Sequence, residues 1–180
     1  MSPDDVLKFW FDEHTAKDWF GGKAEFDDQV EASFADLLVQ AEKCELFHWR
    51  RTPQGRLAEI IILDQFTRQL FRGQPRAFAS DPLALALAQE AVATGDDLKL
   101  QDRQRPFLYM PFMHSESLAI QDQSIVVFTT LGNVGDLDFA KKHRAVIERF
   151  GRFPKRNAAL GRISSAEEQA YMAGTGDSMF

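Results

Sequence analysis

Apolar residues recur along this chain mainly at helical spacing, and the alternation of a half-buried strand is nearly absent. Ser2-Pro3-Asp4-Asp5 supplies an N-cap, a first-turn proline and two acids facing the positive end of a helix dipole. A helix is therefore predicted from Pro3 to about Asp12. After Gly21-Gly22, the residues Phe26, Val30, Phe34, Leu37 and Ala41 lie three or four apart, which is one face of a long amphipathic helix. Thr52-Pro53 repeats the cap-and-proline start ahead of RLAEIIILDQFTRQLF, and Gly73 and Pro75 stop that helix. Asp81-Pro82 opens LALALAQEAVAT, closed by Gly95. Its alternation imitates a strand, yet Ala and Leu favour helix and the bracketing signals enclose a helix length.

The second half is read the same way. Asp102 to Pro106 begins a short helix that Pro111 is expected to end, leaving Phe112-Met113-His114-Ser115 as a turn. Ser115 then caps a helix from Glu116 to Leu131, and Asp136 caps the next, which ends at Gly151. RFPKRN is a connector, and Ser164-Ser165-Ala166-Glu167 reads as a capping box for a last short helix. No internal repeat appears. The expectation is an all-α fold of about seven helices in stacked antiparallel hairpins, a single domain over 1–173, with a frayed tail over 174–180.

Composition narrows the function classes. Of 180 residues, 44% are hydrophobic and 27% charged, as in an ordinary globular domain. Sixteen of the 21 aromatic residues are Phe, which points to a filled core rather than a base- or sugar-stacking surface. Cys44 is the only cysteine, so no internal disulfide forms. The acidic start does not suit a signal peptide, and no run approaches the ~20 apolar residues that span a bilayer. A cytoplasmic protein is expected, with no membrane and no cofactor. The net charge of −6 argues against nucleic acid, but it hides an asymmetry. Residues 1–49 carry twelve acids against four lysines, whereas 141–162 carry eight bases against Glu148 alone, a net +7.

Three polar runs break apolar context. Asp64, Gln65 and Arg68 interrupt the third long helix, and Asp64, Arg68 and Arg72 are spaced to share one face. His114-Ser115-Glu116 follows Pro111, while His143 shares a face with Ala140, Ile147 and Phe150 and so points inward. Arg149, Arg152, Lys155, Arg156 and Arg162 crowd a connector stiffened by Pro154, next to Asn157. Pinned bases need carboxylates or an anion nearby, and Asp64, Asp81 and Glu116 are the internal choices. Arginine suits planar, bidentate partners. Serine hydrolase chemistry lacks its G-x-S-x-G elbow, no histidine pair has zinc-like spacing, and no Gly-rich loop cradles phosphate. Near Cys44 and His48 the apolar neighbours Leu46, Phe47 and Trp49 suggest burial and an inert thiol.

These residues support three alternatives. The first is a site for a small carboxylate or phosphate, with Asp64, Gln65, Arg68, Arg72, Arg149, Arg152, Arg156 and Asn157 binding and His114, Glu116 and His143 handling protons. No metal belongs to it. The second is an interaction module that takes an acidic peptide or protein partner. The third is a buried ion-pair network with a purely structural role.

The runs VLKFWF, LDQFTRQLFRG followed by RAFASDPLALALA, PFMHSE, and HRAVIERFGRFPKRNAALGR followed by SSAEE cover essentially the whole chain. Through them the chain resembles a bacterial family known as domain of unknown function 924. The resemblance implies a helical fold similar to tetratricopeptide stacks and carries no activity with it. Two departures stand out. The family's connector usually reads RFPHRN where this chain has Lys155, and a glycine is expected near Cys44.

Overall fold

Each proline-marked start, at Pro3, Pro53 and Asp81-Pro82, begins a helix in the computed structural model, which describes residues 1–175. Helix α1 (Pro3–Lys8) is closed by a capping box between Ser2 and Asp5 and runs into a π turn, Phe9–Glu13. Then come α2 (Ala16–Trp19), α3 (Ala24–Glu42), α4 (Pro53–Ile61), a second π turn (Ile62–Phe66), α5 (Thr67–Leu70), α6 (Arg76–Ala79) and α7 (Asp81–Ala93). The rest is α8 (Arg105–Met113), α9 (Leu118–Leu131), α10 (Val134–Phe150) and α11 (Ala166–Thr175). Short 3-10 turns cover Phe47–Arg51, Asp97–Lys99 and Pro154–Arg156. No strand occurs among the described residues.

The chain divides into two compact units. The first comprises Met1–Arg72 and Arg76–Pro111, and the second comprises Gly73–Pro75 and the residues from Phe112 onward. In the first, α1 packs on α4, α3 on the second π turn and α5, and α4 on α7. The five apolar residues that define the inner face of α3 are all buried. Every residue from Leu57 to Thr67 is buried, so this central helix has no solvent face. A π turn takes in one residue more than an α turn, which rotates the side chains that follow and lets neighbours in sequence face inward together. Phe9, Trp10 and Phe11 do so in the first π turn and Ile62 to Phe66 in the second. Here the phenylalanines interlock. Phe34 and Phe66 lie 4.9 Å apart, Trp10 stacks on Trp19 at 5.3 Å, and Trp10 meets Phe107 edge-on at 5.6 Å. Such pairs add about 0.5–1.5 kcal/mol each beyond their buried area.

In the second unit α9 and α10 form an antiparallel hairpin turned at Gly132, whose φ of 78° needs glycine. Arg144 Nε donates to Asp122 at 2.7 Å and fixes the register of that hairpin. Val146, Ile147 and Phe153 make its core, flanked by Phe150 and Tyr171.

Several local expectations are corrected. α8 runs through Pro111 to Met113. The ring deletes one donor near a helix end, and the burial of Phe107, Leu108, Phe112 and Met113 offsets that loss. Helix α9 starts after Ser117 rather than Ser115, whose hydroxyl accepts from the Ser117 N–H in a turn ahead of the helix. Asn133, not Asp136, caps α10, its Oδ1 accepting from Gly135 N at 2.9 Å. The last capping box pairs Ser165 with Glu168, one residue later than expected. Gly174 and Thr175 belong to α11, and the rest of the expected frayed tail lies outside the described residues.

Cys44 is exposed, not buried, and its φ of 59° is left-handed. The N–H of Cys44 reaches the Ala41 carbonyl and that of Glu45 the Gln40 carbonyl, the paired bonds of a Schellman end to α3. The family resemblance calls for a glycine near this position. Cys44→Gly should therefore raise stability by about 1 kcal/mol, read as a higher urea midpoint at unchanged m-value.

Candidate functional site

The sequence-predicted residues are divided between the two units. In the first unit, Asp64 and Gln65 sit in the second π turn and are both buried. Arg68, one turn on, forks onto Asp81 at 2.9 and 3.0 Å and reaches Asp64 at 3.3 Å. Gln65 donates to Asp64 and approaches the Met110 sulfur at 3.4 Å. Burial works against the Arg68 charge, but Asp64 and Asp81 outweigh it and hold the guanidinium above its ordinary pKa. Arg72 does not join them. Helix α5 stops at Leu70, and Arg72 instead forks onto Asp27 of α3 at 2.7 and 3.0 Å and donates to Gln69.

In the second unit three arginines of the basic connector are bound to carboxylates. Arg149 meets Glu167 at 2.8 Å, and Arg152 forks onto Glu168 at 2.6 and 2.8 Å. Arg162 forks onto Glu116 at 2.7 and 2.9 Å. Glu116 also accepts the backbone N–H of Phe153 at 2.8 Å, so one carboxylate holds both ends of the connector. Asn157, fully buried, accepts from Arg162 at 2.9 Å and donates to Ser164 at 3.0 Å. Burial alone would raise the Glu116 pKa, but the bonds from Arg162 and Phe153 and the charges of Arg162 and Arg156 bring it below the usual carboxylate range. Glu168 is held at about 2, chiefly by Arg152 and then by the Ser165 N–H.

A different group lies beside this clamp. The His114 and His143 rings are 6.2 Å apart, and the His143 ring meets Phe153 edge-on at 5.5 Å. On Phe153 also sits the Arg156 guanidinium, 4.5 Å from the ring centre. Arg156 donates to the His114 carbonyl at 2.9 Å. His143 is buried, and its Nδ1 lies 2.8 Å from the Phe139 carbonyl. A carbonyl only accepts, so Nδ1 carries the hydrogen and a neutral ring keeps its lone pair on Nε2. An imidazole and a guanidinium on one aromatic ring, with a second imidazole beside the first, can attract an anion and exchange a proton with it.

Sequence reasoning counted Arg162 in the basic run without making it a site residue and passed over Glu168, and these two organise this region. Glu168 was legible as the N3 residue of the Ser165 capping box, whereas the Arg162–Glu116 pair spans 46 residues and carries no local signal. Among the described residues, no group of three His, Cys, Asp or Glu side chains is placed to hold a metal ion. In the first unit a groove of about 320 Å³ opens between α3, at Ser33, Asp36 and Gln40, and His48 and Trp49; none of the predicted site residues lines it.

Residues 6–176 match the model of a family described as bacterial protein of unknown function, DUF924. The chain belongs to this family. It is similar to the solved structure of ATU0120, a protein of unknown function from Agrobacterium tumefaciens, with 37% identity, a TM-score of 0.90, and coverage of 96% of this chain and 97% of that one. No curated protein matches it.

Glu116 and Glu168 have folded-state pKa values below their ordinary ones, so their contribution is complete above the ordinary value and disappears as both are protonated. Stability should fall as pH drops from 4.5 to about 2, and Glu168→Gln should flatten that fall in acid-titrated urea melts. At neutral pH Glu116→Ala should cost about 2 kcal/mol, because the Phe153 N–H and Arg162 lose their common acceptor.

Proposed function

We propose that this family member binds a small organic anion, a carboxylate or a phosphate, at His114, His143 and Arg156 of the second unit. The observation that carries this reading is that the His143 imidazole and the Arg156 guanidinium meet on the Phe153 ring, with the His114 ring 6.2 Å from that of His143. The nearby carboxylate of Glu116 is forked onto Arg162 and turned to the Phe153 amide, so its role here is to position the segment rather than to move protons. Arg149 and Arg152 serve in the same way through Glu167 and Glu168. The histidines supply the proton chemistry if the bound anion reacts.

An anion site of this kind suits a metabolite-binding protein of the cytoplasm, and no described helix is long and apolar enough to cross a membrane. The tetratricopeptide-like stacking implied by the family resemblance would present such a site on a rigid helical frame.

Titration with inorganic phosphate and with acetate, followed through the imidazole NMR signals of His114 and His143, tests this. Saturable shifts at millimolar anion are expected, and Arg156→Ala should weaken binding about tenfold. Arg156→Lys keeps the charge but not the planar fork and should recover only part of it. Unmoved histidine signals with both anions would sink the proposal.

A further inference from the structure

Two oxygens in the second unit are fully buried yet have no hydrogen-bond partner among the described residues: Gln121 Oε1 and Ser124 Oγ, both on α9. The direction of the Gln121 amide is decided by its surroundings. Its Nε2 lies 2.7 Å from the Met113 carbonyl and 2.7 Å from the Ser115 carbonyl. Both can only accept, so the nitrogen is fixed on them and the oxygen is left as a bare acceptor. Gln121 thus braces the two carbonyls that flank His114, while Arg156 holds the carbonyl of His114 itself.

Ser124 lies one turn along the same inward face of α9. The Asp122–Arg144 bond at 2.7 Å sets this stretch level with His143, which is on the inward face of α10. The buried sides of the packed helices α9 and α10 thus carry both oxygens and His143, and Gln121 reaches the residues on either side of His114. The polarity of α9 is inverted here. Gln121 and Ser124 are buried, while Leu118 and Val126 are exposed. Packing alone would favour the reverse, since a buried acceptor with no donor bears its whole desolvation cost and native structures leave few of them.

We propose that Gln121 Oε1 and Ser124 Oγ are specificity contacts of the anion site, and that its ligand is a small carboxylate bearing a hydroxyl or ammonium donor. This rests on the reading of His114, His143 and Arg156 as an anion site. The carboxylate faces Arg156 and the two imidazoles, and its neighbouring donor meets Gln121 Oε1, which cannot donate and so disfavours an anion with no hydrogen to give. Ser124 can accept from the same donor or give its own hydrogen to a carboxylate oxygen. A site built to pair a ligand hydroxyl discriminates strongly against the analogue that lacks it, because the buried acceptor is then left unpaired.

The test uses the full chain and three probes of similar size: lactate, alanine and propionate, the last lacking the donor. Dissociation constants come from the His114 and His143 imidazole signals. Lactate or alanine should bind at least about tenfold more tightly than propionate. Ser124→Ala removes only an unpartnered hydroxyl, so its thermal midpoint should hold or rise while the preference shrinks; Gln121→Met should shrink it further. If Gln121→Met does not fold, Ser124→Ala alone decides. Equal binding of all three probes overturns this inference and leaves the anion site standing. No response to any of them or to phosphate removes both. An unchanged preference in Ser124→Ala, or a lowered midpoint with the preference intact, assigns the hydroxyl to the internal structure and overturns the inference.

Discussion

Glu116 has to satisfy two distant parts of the second unit at once, the guanidinium of Arg162 and the backbone N–H of Phe153. Much else in that unit follows from this. With both bonds made, the stretch from Phe153 to Arg162 becomes a closed loop anchored at its two ends on one carboxylate. Asn157 is then buried and bonded inside the loop, and the Phe153 ring is fixed where Arg156 and His143 meet it. Helix α9 begins at Leu118, two residues beyond the carboxylate that holds the loop. Half-buried charges are tolerated here because each is paired in a planar fork, the geometry in which arginine offsets most of its desolvation.

The first unit solves a comparable problem by different means. Its central helix is buried on all sides, and two acids are within it: Glu59, forked by Arg50 at 2.6 and 2.7 Å, and Asp64, held by Arg68. The π turns at Phe9–Glu13 and Ile62–Phe66 bring consecutive aromatic and aliphatic side chains to the interior. Tight interlocking of Phe9, Trp10, Phe34 and Phe66 is the result. Cys44 pays a small conformational penalty at the end of α3, where the backbone must turn left-handed to satisfy the last carbonyls.

Helix positions were legible wherever the signal was local. Ser2, Thr52 and the Asp81-Pro82 pair marked starts correctly, and Gly95, Gly132 and Gly151 marked ends, because caps and left-handed glycines act within one turn. Local signals failed where a distant partner competed. Pro111 did not end α8, since burial of the residues around it outweighed one lost bond. Ser115 does not cap α9: its hydroxyl accepts from the Ser117 N–H in a turn ahead of the helix, while Glu116 pairs with Arg162. Arg72 left the face of Asp64 and Arg68 when the helix ended two residues earlier and Asp27 came within reach.

By itself the sequence determined the all-α class, the inward faces of the long helices and the presence of a basic segment too dense to be left unpaired. These follow from periodicity, turn chemistry and charge, which are properties of neighbours along the chain. Only the tertiary structure decided which carboxylate takes which arginine, and so which polar residues are clamps and which remain around His114 and His143. Pairings such as Arg162 with Glu116, 46 residues apart, depend on where folding brings side chains together in space, and a linear pattern holds no record of that distance.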